Sequence, residues 1–144
     1  MDESKARKLI VEVGKLLYER SYVVAFDGNV SIRLDENTVL ATPTMTSKGR
    51  MTEDCLALTD IDGNPLNYNR ASSELAMHLL IYKMRPDIHA VCHAHPAHGT
   101  AFAVAGLEFF NSKKTSKSAS SYVETYNAVN SSSLIKNKNV NGVT

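Results

Sequence analysis

The segment HAVCHAHPAHG, residues 89 to 99, gathers four of the chain's five histidines into eleven positions. On a strand, alternate side chains share a face, so His89, Val91, His93 and His95 point one way and Ala90, Cys92 and Ala94 the other. An HxH pair at a strand end is a two-imidazole claw whose nitrogens can reach one zinc ion at about 2.1 Å each. Equally, a bare HxH is often two histidines satisfied by hydrogen bonds. His89 stands about 13 Å up the strand from His93, too far to join a claw. His98 lies beyond Pro96 on a different heading, where it reads as a surface or supporting group.

A second chemical cluster is ASSE, residues 71 to 74. Two hydroxyls and the N–H groups of a helix start suit a phosphate, and the Glu74 carboxylate in that turn can face a metal or act as a base. Gly28 with Asn29, and Thr42 to Thr44, add two small hydroxyl- or amide-bearing turns whose commonest role is simply to turn the chain. His78, one helical turn after Glu74, is placed either to orient that carboxylate or to pack.

Several elements must position these groups. Ala6, Leu9, Ile10, Val13, Leu16 and Leu17 trace one helical face, with Asp2 or Glu3 at its positive end. Tyr22 to Phe26 and Val30 to Leu34 read as strands about the turn formers Asp27, Gly28 and Asn29. Val39 to Thr42 and Leu56 to Thr59 read as further strands, and residues 61 to 65 as a turn. Ser72 or Ser73 caps a helix through residues 75 to 84 that ends before Pro86. Residues 88 to 96 then read as a buried strand, and HGTAFAVAGL as a short helix. Cys55 and Cys92 sit in separate apolar runs without CxxC spacing and read as buried fillers.

The chain has 144 residues, 43% of them hydrophobic, and a formal charge of +1, enough for one core and no argument for a nucleic-acid partner. Charges interrupt the first twenty residues, and no run approaches the ~20 apolar residues of a membrane span, so a soluble cytoplasmic protein is expected. Beyond Phe110 the composition changes: of 34 residues, eight are serine, six asparagine and five lysine. Residues 1–110 are therefore expected to form the domain, with 111–144 disordered or peripheral and a helix over 121–129 as the alternative.

The series DGNVS, TPTxxxKG, ASSExxMH and RPDIHAVCHAHP, in this order, resembles the class II aldolase and adducin head family over residues 1 to about 108. The resemblance implies an α/β fold, a three-layer α/β/α sandwich around a mixed, largely antiparallel sheet, incomplete at its C-terminal end, and a homotetramer with active sites between subunits. It also implies zinc held by His93 and His95, Glu74 as the acid/base that visits the metal, and a substrate phosphate held by Gly28, Asn29, Thr44, Ser72 and Ser73. The substrate would be a phosphorylated ketose, cleaved by a retro-aldol reaction. The alternatives within the family are an epimerase, a dehydratase, a non-catalytic binding module like the adducin heads, or an inactive truncated product. Two departures stand out: Met45 replaces the family's glycine after TPT, where a side chain can crowd the site or alter its specificity, and no histidine follows His98 to act as third zinc ligand.

Overall fold

The computed structural model describes residues 1–106; the composition boundary at residue 110, the segment 111–144 and the helix weighed over 121–129 lie outside them. The elements are α1 (Glu3–Glu19), β1 (Asn29–Arg33), β2 (Thr38–Ala41), β3 (Ala57–Asp60), α2 (Leu75–Met84), β4 (Ala90–His93) and α3 (Ala97–Val104), with single 3-10 turns at Lys48–Arg50 and Glu53–Cys55. Met1–Thr100 is one compact unit, and the chain from Ala101 belongs to another. No helix among the described residues is long and apolar enough to cross a membrane.

The strands form one sheet in the order β3-β2-β1-β4, and all three pairings are antiparallel. Alternation along β1 and β2 gives the sheet two apolar faces. Val30, Ile32 and Leu40 meet Ala6 and Ile10 of α1 together with Met51 and Leu56. On the other face, Val39 and Ala41 meet Leu75, Leu79 and Tyr82 of α2. The result is the expected α/β/α layering, with β1 and β2 in the middle of the sheet.

Helix α1 begins where the Asp2 carboxylate accepts from Lys5 N at 3.0 Å, satisfying one of the N–H groups that a helix start leaves over. Its buried face runs Ala6, Ile10 and Gly14, while Leu16, placed on that face by spacing, is exposed. Gly14 is required by close approach: a Cβ there would stand 3.0 Å from Lys48 O. The backbone of the 48–50 turn therefore lies directly on the helix.

Four further expectations give way. Tyr22 to Phe26 is not a strand: no strand among the described residues pairs with it, and the Asp27 carboxylate accepts from Val24 N while Asp27 N donates to Val24 O at 3.1 Å, closing a tight turn instead. The strand read over 88–96 is only Ala90–His93, and among the described residues it lies at the sheet's edge with Ala90 and Cys92 exposed. Cys92 thus escapes the core because α1 packs on β1 and β2, and Cys55 is only half-buried. Finally, α2 begins at Leu75, so Glu74 stands at its boundary instead of within its first turn.

Between α2 and the sheet lies a buried polar knot. Ser31 Oγ is 2.7 Å from His78 Nδ1 and 2.8 Å from Tyr82 Oη, and Tyr82 Oη donates to Ser31 O at 3.0 Å. Burial pushes Tyr82 up to about 12 and His78 down to about 3, because desolvation disfavours the charged form of each. His78 is therefore a neutral imidazole serving the α2–β1 contact.

An unfolded chain takes up a proton that folded His78 refuses, so stability should be lost as pH falls from about 6.5 toward about 3. One such group contributes a slope of about 1.4 kcal/mol per pH unit. Urea unfolding at pH 7 and pH 5 is expected to show a drop about 2 kcal/mol smaller in His78→Gln than in the parent chain. Equal drops would mean that His78 protonates freely in the fold.

Candidate metal and anion site

Four segments converge where β1 begins and β4 ends. Thr42 N donates to Val30 O at 2.9 Å, and Val30 N to Thr42 Oγ1 at 3.2 Å, which fastens the chain leaving β2 to the start of β1. The same stretch pairs with the approach to α2: Thr44 N donates to Arg70 O at 2.9 Å, and Ser72 N to Thr42 O at 3.2 Å. His93 opposes Asn29 in the β1–β4 ladder. Glycine at position 28 makes that crossing possible. It has φ +65, and a Cβ on it would press on Val23 and stand 2.8 Å from His93 O, closer than real side chains approach.

Glu74, Asn29 and His93 meet at this crossing. Asn29 Nδ2 donates to Glu74 Oε2 and lies 3.5 Å from His93 Nδ1, which is itself 3.2 Å from Glu74 Oε2. Burial holds His93 below the usual histidine range, against the opposing pull of Glu74. His93 Nδ1 thus faces the carboxylate, and a neutral ring that donates there carries its lone pair on Nε2. His95 lies past the end of β4, yet its N–H donates to Tyr22 O at 2.9 Å and its ring centroid is 4.6 Å from that of His93. The turn at 22–26 thus continues what the strand stops doing.

Glu74, His93 and His95 each present a ligand atom, and these atoms lie within 4.8 Å of one another. Ligands about 2.1 Å from one tetrahedral ion are about 3.4 Å apart, so small side-chain adjustments would close the set. Two imidazoles and a carboxylate are the donors of open zinc sites. Asn29 Oδ1, beside them, is buried with no protein partner among the described residues. The residues fit zinc.

The expected phosphate groups lie on the same converging segments. Gly28 and Asn29 are buried, Thr44 and Ser72 half-buried, and Ser73 exposed. Ser72 Oγ accepts from Glu74 N at 3.3 Å, so its hydroxyl also sets the approach to α2. Met45 does not crowd the site. Its φ of 53 is the left-handed geometry that glycine adopts at little cost, and its side chain is 71% exposed. His89 and His98 are exposed and belong to no such cluster, and His78 serves the core.

Spacing did not single out Lys48. It is only 2% exposed, and its ammonium donates to Phe26 O at 3.0 Å and Thr46 O at 2.9 Å. It therefore ties the turn before Gly28 to the turn after Thr44. Burial lowers its pKa, while Asp27 and Glu74 pull the other way. The available signal was its place in TPTxxxKG, four residues after Thr44.

Known proteins resemble this chain in sequence and in fold. The model of the class II aldolase and adducin N-terminal domain family matches residues 8–139. The 3-oxo-tetronate 4-phosphate decarboxylase of Haemophilus influenzae is 40% identical over 103 residues, 72% of this chain and 49% of that protein. The L-fuculose phosphate aldolase of Methanococcus maripaludis is 43% identical over 93 residues, 65% of this chain and 51% of that protein. A solved L-fuculose 1-phosphate aldolase superposes with a TM-score of 0.66 at 30% identity, covering 72% of this chain and 50% of that one. The chain thus spans about half the length of the curated relatives it matches.

Gly28→Ala is expected to cost at least about 2 kcal/mol, since it adds left-handed strain to a backbone clash beneath His93. Urea unfolding measures the loss. Unchanged stability would show that β4 can move off the turn.

Proposed function

The chain belongs to the class II aldolase and adducin N-terminal domain family, and on that premise we propose that it carries the metal and phosphate half of a zinc-dependent sugar-phosphate lyase. The observation that carries this reading is the convergence of Glu74, His93 and His95, with ligand atoms within 4.8 Å, beside Thr44 and Ser72. The substrate is a phosphorylated ketose. Its anionic end is held by Gly28, Asn29, Thr44, Ser72 and Ser73, through hydroxyls, a carboxamide and backbone N–H groups. Zinc held by His93 and His95, with Glu74 facing it, would supply Lewis-acid polarisation of the substrate carbonyl.

The remaining steps fall to the chain's own groups. Glu74 has a side chain 41% exposed, so it can reach a substrate while Asn29 and His93 fix its other contacts. In retro-aldol cleavage, a base takes the hydroxyl proton as the carbon–carbon bond breaks. The bonding pair moves to the carbon beside the carbonyl, which is then protonated. We assign that proton traffic to Glu74. Decarboxylation is the second reading, favoured by the 40% identity to the tetronate-phosphate enzyme. It leaves an electron pair on the same kind of carbon, with carbon dioxide as the departing fragment, so no hydroxyl proton is taken and Glu74 has only the final protonation to serve.

Elemental analysis of the purified 144-residue chain is expected to find about one zinc per chain, falling to background in the His93→Ala, His95→Ala double variant. Glu74→Gln should keep the metal and lose turnover by about 10²-fold or more against whichever ketose 1-phosphate or 3-oxo-tetronate 4-phosphate the chain accepts. Full turnover in that variant would remove Glu74 from the role. Equal zinc in parent and double variant would remove the histidine pair.

A further inference from the structure

Lys48 is costly where it lies. Taking an ammonium out of water costs several kcal/mol unless opposite charge or good hydrogen bonds compensate it. Its acceptors here are two neutral carbonyls, Phe26 O and Thr46 O. Asp27 and Glu74 act on it through space, and burial still outweighs them. An ammonium has three donors, so after these two bonds one remains.

The surroundings say what would complete it. Lys48 bridges the turn ending at Gly28 and Asn29 to the turn holding Thr44, whose carbonyl accepts from Thr46 Oγ1 at 3.1 Å. Ser72 is tied to the same strand exit through Thr42 O. The other groups at this anion cradle are neutral donors and one carboxylate, Glu74, whose charge repels a phosphate. Apart from the zinc that Glu74, His93 and His95 would bind, a dianion held there by hydroxyls and amides would meet no compensating charge from these groups. Lys48, bonded to Phe26 O and Thr46 O beside these two turns, is a buried cation, and a charge held out of water is little screened by salt.

We propose that Lys48 is an anion-binding residue of this site, the fixed positive charge that selects phosphorylated over neutral sugars and locks the two turns around the phosphate. The inference rests on the sugar-phosphate reading above and adds to it the residue that sets charge selectivity. Lys48 takes no part in bond breaking, so it acts through binding and positioning.

The test is calorimetric titration of the full 144-residue chain with inorganic phosphate at pH 7.5, in parallel with Lys48→Met, Lys48→Arg and a Ser72→Ala, Ser73→Ala double variant, each first shown to unfold cooperatively. Lys48→Met is expected to bind phosphate at least tenfold more weakly than the parent, and Lys48→Arg within about threefold, since arginine keeps the charge. If the parent binds phosphate, the serine variant loses it and Lys48→Met binds as the parent does, Lys48 is a structural tie and this inference falls while the sugar-phosphate reading stands. If the parent binds no phosphate, both fall together. Should Lys48→Met fail to fold, the ε-methylene signal of Lys48 in ¹³C-lysine-labelled parent chain, assigned with Lys48→Arg, decides the matter. A shift that saturates with phosphate supports the assignment, and an unmoved signal while phosphate binds overturns it.

Discussion

Everything at this site depends on how closely the chain at Gly28 passes under the carbonyl of His93. A methyl group there would stand 2.8 Å from that oxygen, and β4 could not pair with Asn29 in its present register. Because the crossing is tight, Asn29 enters the sheet with its carboxamide against both Glu74 and His93. The absence of one side chain thus fixes three others. The same principle operates beneath it, where Gly14 lets the Lys48 backbone settle onto α1 and so directs a buried ammonium toward the two turns.

Two layers of polar contact hold the chemistry in place. The upper one consists of backbone bonds among residues 42–44, 70–72 and 30, which bring hydroxyl-bearing turns from distant parts of the chain to one place. The lower one is the knot of Ser31, His78 and Tyr82 in the α2–β1 seam. All three of its side chains are almost completely buried, and a knot of this kind tolerates only one arrangement of α2 on the sheet. Glu74 stands at the start of α2 and inherits that precision.

Much of this was legible in the residues. The spacing of DGN, SSE and HxH marked turns, a helix start and an imidazole pair, and local chemistry is what decides such features. The misreadings share a physical cause, since each turned on a neighbour that spacing cannot show. Tyr22 to Phe26 has strand-like composition but no strand to pair with, and Cys92 looks like core yet lies at an edge. Met45 suggested a crowded loop, whereas its backbone takes up the left-handed turn and its side chain points to solvent. Lys48 was passed over because lysines are almost always solvated, and only its contacts with Phe26 and Thr46 show otherwise.

The position of β4 at the edge of the sheet separates two kinds of durability. Among the described residues, its only partner strand is β1, while β1, β2 and β3 remain joined to one another without it. Fraying of this one strand would carry off His93, and with it the platform for His95, yet leave the hydroxyl-bearing turns on β1 and β2 intact. Local opening of this kind requires less free energy than global unfolding. Among the described residues the imidazole pair therefore hangs on one edge strand, and local opening there would release it while the rest of the sheet stays folded.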